Sequence, residues 1–166
     1  MNPIFNKETY TSILPIESSS VQIPHTLTET ADGIGMIQKN EFHMTIIGFK
    51  TAKDIQTKEI TPHLQKSIEE LLQKTDWKIQ PENSFFRIQK TYPNGEERES
   101  IIQLFKVIGL DDFYKRLNSL LGTKYPVPFP HVTLFAKSTD QENMTMGIGI
   151  YSEEEFINLN PIPVVF

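Results

Sequence analysis

The chain has 166 residues with 16 Lys and Arg against 21 Asp and Glu, a net charge of −5 with its four His neutral. The absence of Cys excludes disulfide frameworks, thiolate nucleophiles, iron–sulfur clusters and Cys-type zinc sites, and leaves chemistry to His, carboxylates, hydroxyls and amines. Hydrophobic residues make up 38% of the chain, enough for one packed domain or two small lobes sharing a core, and the acidic balance argues against coating long nucleic acid.

Met1 to Leu14 carries Asn6, Lys7 and Glu8 where a signal peptide would need an apolar run. Nothing approaches the ~20 apolar residues of a membrane span, so a cytoplasmic protein with no membrane partner is expected. Pro15 to Lys39, rich in Ser, Thr, Pro and Gly, reads as extended or looped structure. Phe42 to Phe49 is an apolar run and reads as a buried strand. Thr61-Pro62 then opens a helix to about Lys74, with Leu64, Ile68, Leu71 and Leu72 on one stripe.

From Trp77 to Tyr92 the pattern is again strand, and Pro93-Asn94-Gly95-Glu96 supplies a hairpin turn, with a return strand from about Glu99 to Ile108. Asp111 is expected to cap a second helix that presents Phe113, Leu117, Leu120 and Leu121 and closes at Gly122. After the Pro-rich stretch Tyr125 to Pro130 come strands at His131 to Ala136 and Gly147 to Tyr151, then a Ser152-capped turn through Phe156.

Two of these strands carry the same local text, His43-Met44-Thr45-Ile46 and His131-Val132-Thr133-Leu134, and they lie 131 − 43 = 88 residues apart, about half the chain. Residues i and i+2 of a strand share a face, so each His projects beside its Thr while Met44 and Val132 point into the other layer. Cleaving a phosphodiester in line needs one group to take a proton from the attacking oxygen and another to protonate the leaving oxygen. Two imidazoles can share those roles near neutral pH, and a hydroxyl beside each can hold a non-bridging phosphate oxygen, with no metal or other cofactor required. Among the four His, only these two have Thr at i+2.

On these two motifs the chain resembles the 2H phosphoesterases, a family named for paired His-x-Thr/Ser-apolar motifs, and the resemblance covers about Glu41 to Tyr151. It implies a single bilobal α+β domain over residues 1–166, with two pseudo-symmetric antiparallel sheets flanking a central groove and helices on the outside. It further implies metal-independent cleavage of a nucleotide or short oligonucleotide: a 2′,3′-cyclic phosphate, a 2′-5′ or 3′-5′ linkage, or a cyclic oligonucleotide messenger. The family includes RNA-end processing enzymes and phage proteins that destroy such messengers. By this resemblance His43 and His131 are the acid/base pair and Thr45 and Thr133 the phosphate clamps. Met1 to Asn40 departs from the most compact members.

Plainer accounts stand beside this one. In one, the two His sit in buried strands and bond backbone groups, at the cost of burying two imidazoles; in another they join a His/carboxylate metal site, against which stands the lack of carboxylates at ligand spacing; in a third the groove sequesters a nucleotide without cutting it. His25 reads as a surface residue in a loop and His63 as solvated in the first turn of its helix. Lys50 and Lys137, just past the motif strands, are candidates to bring positive charge to a phosphate, against a solvated role. Trp77, Tyr10 and Tyr92 are candidates to stack a base, against ordinary packing. The acidic run Glu153-Glu154-Glu155 reads as a helix start. A monomer is expected rather than an obligate oligomer.

Overall fold

The computed structural model describes residues 2–59 and 61–165. They form an α+β fold with two antiparallel sheets. The first has three strands in the order β1 (Ile4–Phe5), β2 (Ser12–Ile16), β4 (Phe42–Ile47). The second has five, in the order β3 (Ile37–Gln38), β7 (His131–Ser138), β6 (Glu97–Ile108), β5 (Lys78–Thr91), β8 (Ile162–Pro163). The two motif strands thus sit in different sheets, and β4 and β7 lie against each other without pairing.

The helices are α1 (His25–Gly33), α2 (Phe49–Gln56), α3 (Pro62–Lys74), α4 (Leu110–Leu121) and α5 (Glu153–Asn158). Helix α3 starts as its sequence dictates: the Thr61 side chain accepts the Leu64 amide at 3.2 Å, Pro62 follows, and Ile68 and Leu72 are buried. In α4 the cap differs from the expectation. Gly109, not Asp111, precedes the helix at φ 100°, and a Cβ there would come within 2.7 Å of the Asp76 carbonyl. Asp111 instead lies in the first turn, where a carboxylate suits the helix dipole. The Ser152 hydroxyl caps α5 by accepting the Glu155 amide.

The hairpin of β5 and β6 forms as read. Gly95 takes φ 86°, Tyr92 N–H donates to the Glu96 carbonyl, and Lys90 comes to pair with Arg98 across the strands. Two helices stand where none was expected. Helix α1 lies inside the stretch read as loop, with Leu27 and Ala31 buried one turn apart. Helix α2 takes over at Phe49, where Gly48 ends the apolar run, so the strand read to Phe49 stops at Ile47. Gly147 to Tyr151 is extended, with Ile148 and Ile150 buried in alternation, but joins neither sheet.

Both motif strands carry a one-residue bulge at the same motif position. Opposite β4, Ser12 pairs with Ile47 and Ile13 with Thr45, so Ile46 is the extra residue. Opposite β7, Ile101 pairs with Phe135 and Ile102 with Thr133, so Leu134 is extra. The consequence is visible in burial: Ile46-Ile47 and Leu134-Phe135 both enter the core as consecutive residues, while His43, Thr45, His131 and Thr133 keep partial exposure. The carbonyls of both bulge residues are satisfied, on β4 by a side chain and on β7 by the backbone that continues from β3. The buried Tyr114 hydroxyl donates to Ile46 O at 2.6 Å, and Lys39 N–H donates to Leu134 O at 2.8 Å.

One core cluster joins Leu14, Met44, Ile46, Ile68, Phe113, Leu117, Val132 and Leu134 across both sheets and the helices α3 and α4. A smaller one, Ile88, Ile102, Ile148, Ile150 and Phe156, lies under the extended segment. Among the described residues no helix is long and apolar enough to cross a membrane.

Candidate functional site

The alternation within β4 and β7 leaves His43 and Thr45, and His131 and Thr133, on the walls of one cavity of about 420 Å³. The extended segment from Met146 to Tyr151 forms another wall, and Gly48 and Phe49 bring the start of α2 to it. Backbone approach is close there. A Cβ on Gly147 would lie 2.6 Å from the Thr133 Oγ1, and one on Gly48 would lie 2.7 Å from the Tyr151 ring.

Burial acts on both imidazoles, and the charge of His43 acts on His131 as well. His131 Nδ1 lies 2.8 Å from the Phe129 carbonyl, which can only accept, so Nδ1 donates and Nε2 is the nitrogen left to exchange a proton. Its pKa is pushed below the usual 6.5, first by burial and also by the charge of His43, with backbone bonds to Phe129 and Ile148 opposing. The His43 pKa is also lowered, by burial first and by Lys39 second, with Glu41 opposing. Each ring is therefore biased toward the neutral form that accepts a proton.

The charge around them is one-sided. Lys39, Lys53, Lys90 and Arg98 line the cavity, and among the described residues no Asp or Glu does. In a chain of net charge −5 this is a concentration of cations against the global balance, and it favours an anionic ligand. Arg98 is held from behind: its Nε and Nη2 donate to the two oxygens of Glu96 at 2.6 and 3.1 Å, and its Nη1 donates to the Gly147 carbonyl at 3.4 Å. Glu96 is buried and also accepts from Ser138 Oγ and Asn143 Nδ2, and the bond from Arg98 is the leading reason its pKa falls to about 2.

Family models, curated proteins and solved structures give no match to this chain. The chemistry of the site therefore rests on its own geometry. Among the described residues no group of three or more His, Cys, Asp or Glu side chains is placed to share a metal ion.

Of the residues singled out from sequence, the structure brings together His43, Thr45, His131 and Thr133, with Tyr92 on the same cavity. The others lie elsewhere. Trp77 is buried against Phe113 and donates its Nε1–H to the Leu72 carbonyl at 2.8 Å, so its ring is part of the core and offers no face to a base. Tyr10 packs edge-on against Phe5 in the β1–β2 connection. Lys137 reaches away, to the Ile34 carbonyl and Glu99. Lys50 stands beside the cavity rather than in it: its ammonium pairs with Glu155 at 3.1 Å and its backbone N–H donates to the Tyr151 hydroxyl. His25 is exposed beside Glu29 at the first residue of α1, a helix and not a loop, and His63 is exposed.

Sequence reasoning missed Lys39, Lys53, Lys90 and Arg98, and the exposed Phe49 and Met146 at the cavity. For Lys90 and Arg98 the turn carries a partial signal: a three-residue loop Pro93-Asn94-Gly95 centres the hairpin on Asn94 and sets them opposite each other, whereas a two-residue turn on Asn94-Gly95 would set Lys90 opposite Glu99. The other cations come from separate segments with no shared local pattern.

Proposed function

We propose that this chain is a phosphodiesterase that cuts a nucleotide or short oligonucleotide without a metal ion, with His43 and His131 as general acid and general base. One observation carries the reading: two His-x-Thr pairs, from different sheets, meet in a single cavity whose charged side chains are all Lys or Arg. One imidazole takes the proton of the attacking oxygen, either the substrate's 2′-hydroxyl or water, as that oxygen bonds to phosphorus. The other gives its proton to the oxygen whose bond to phosphorus breaks. Thr45 and Thr133 donate to the non-bridging oxygens and hold the phosphorus between the rings.

The matched bulges after each Thr, and the supply of one motif strand by each sheet, support the bilobal, pseudo-symmetric plan that the resemblance to the 2H phosphoesterases implies. Concentrated cations inside an acidic protein support a small anionic substrate over a long duplex.

The test is a panel of 2′,3′-cyclic mononucleotides, 2′-5′ and 3′-5′ dinucleotides and cyclic di- and trinucleotides, incubated in excess chelator and analysed for products. At least one member is cleaved, and His43→Ala and His131→Ala each lower its turnover by about 10²- to 10⁴-fold while the fold persists. Full activity in both variants would sink the acid/base assignment. Recovery of every ligand intact after denaturation would make the cavity a binding site that does no chemistry.

A further inference from the structure

A phosphodiester carries a single negative charge, and two imidazoles with two hydroxyls already address it. The cavity nevertheless adds four cationic side chains, and two of them face each other directly. Lys90 on β5 is the cross-strand partner of Arg98 on β6, an arrangement in which like charges repel unless something negative comes between or beside them. Glu96 sits behind Arg98 and offsets its charge, while Lys90 makes no close ion pair among the described residues and acts on Glu155 only through space. The Lys90 ammonium lies 5.2 Å from the centroid of the Tyr92 ring, and the Arg98 guanidinium lies 4.4 Å from the same ring. These three side chains form one cationic shelf around a single aromatic ring.

The shelf is fixed in place. Glu96 takes the Nε and Nη2 edge of Arg98 while Ser138 and Asn143 hold the carboxylate, so the guanidinium keeps one orientation at the cavity wall. Its Nη1 reaches the carbonyl of Gly147, the residue whose Cα abuts the Thr133 hydroxyl. The shelf is thus adjacent to the place between the imidazoles but made of different residues.

We infer that Lys90 and Arg98, with Arg98 positioned by Glu96, form a second anion subsite, and that the substrate carries a phosphate in addition to the phosphodiester that is cut. The inference rests on the phosphodiesterase reading for what happens at the first phosphate, but the second subsite is a statement about binding and is measurable without turnover.

The probes are adenosine 3′-monophosphate and adenosine 3′,5′-bisphosphate, titrated calorimetrically into the intact protein; in the bisphosphate either phosphate can take the place between the imidazoles. The bisphosphate binds at least about tenfold more tightly, as one added set of charge-assisted hydrogen bonds implies. Lys90→Met and Arg98→Lys each reduce that ratio by at least about threefold, with melting temperatures showing that both variants fold. A smaller ratio in the unaltered protein, or a ratio unchanged in both variants, overturns the subsite. The two readings fail separately. Turnover of single-phosphate and multi-phosphate substrates at equal kcat/KM, together with equal binding of the two probes, removes the subsite and leaves the enzyme. A binding preference with no cleavage of any substrate leaves the subsite and removes the catalytic reading.

Discussion

Gly147→Ala tests whether the position of the Thr133 hydroxyl matters. The backbone at Gly147 is not in the left-handed region, so alanine meets no conformational objection there, and the whole effect comes from space. The new methyl would stand 2.6 Å from Thr133 Oγ1, which is 0.8 Å short of the 3.4 Å where ordinary contact begins. Thr133 cannot absorb this with a flexible side-chain end: it is β-branched, and turning it about χ1 moves the hydroxyl itself. The alternative is a shift of the segment whose Ile148 and Ile150 are buried in the smaller core cluster. Overpacking of this kind costs about 1–3 kcal/mol, a fall in melting temperature of about 2–12 °C for a chain this long. Activity suffers more than stability, because misplacing a catalytic group by about 1 Å costs about 10²-fold in rate. The assay is kcat/KM on the best substrate of the panel beside a thermal melt, with Gly33→Ala as the control, since a Cβ there meets nothing within 4 Å. Gly147→Ala at a third or more of the unaltered kcat/KM would refute the role given to Thr133.

Tyr114→Phe removes the proton that the Tyr114 hydroxyl offers to the Ile46 carbonyl and leaves that buried oxygen short of a partner, at about 1–3 kcal/mol, read as a lower midpoint in denaturant unfolding at constant m-value. The rate against pH should be bell-shaped in kcat/KM, with its maximum on the acid side of 6.5, because both imidazoles are lowered from that value by burial and by neighbouring positive charge. Lys39→Met takes away one such charge, so the limb belonging to His43 moves to higher pH; an unmoved profile contradicts the coupling. Stability follows the same shifts. The unfolded chain protonates its His first, so their contribution is complete above 6.5 and is lost as pH falls through the lowered folded values. Glu96 acts in a lower window, with its contribution complete above 4.5 and lost as pH falls through about 2. Melting temperature should therefore fall between pH 7 and pH 5, and fall less in His43→Ala; a flat curve in the unaltered protein would contradict it.

The parts of the fold written in short-range patterns were readable. Thr61-Pro62 gave the start of α3, Asn94-Gly95 the hairpin, and His-x-Thr on an alternating strand put four polar groups on the faces that line the cavity. The bulges had a signal too, since Ile46-Ile47 and Leu134-Phe135 break alternation at the same place after each Thr, and two adjacent apolar residues there need an extra residue to bury both. Helix α1 was hidden because only Leu27 and Ala31 carry its apolar face, too few to stand out among Thr and Glu. Helix α2 was hidden because Gly48 joins two apolar stretches that read as one strand. For Trp77 the structure decides between stacking a base and ordinary packing in favour of packing. Its ring is amphipathic, and here the polar N–H is satisfied by the last turns of α3 while the face packs on Phe113, a long-range contact no local pattern encodes.

The repeated bulge bears on how a paired site of this kind is held. A bulge twists a strand and frees a carbonyl, and each freed carbonyl must be satisfied or it draws water into the core. On β4 the partner is a side chain, the Tyr114 hydroxyl from α4. On β7 it is the backbone of Lys39, whose own side chain then enters the cavity and whose charge lowers the pKa of His43. The geometry after the two Thr is alike, but its supports are not. One half is braced from the helical core, which is insulated from ligand. The other is braced by the segment that also carries a cavity lysine tied to the Thr145 carbonyl at 2.7 Å. Lys39 therefore links the cavity to the β7 bulge and to the segment leading to Gly147. The Tyr114 contact has no such link, so the two motif strands are alike in geometry and unequal in how they are supported.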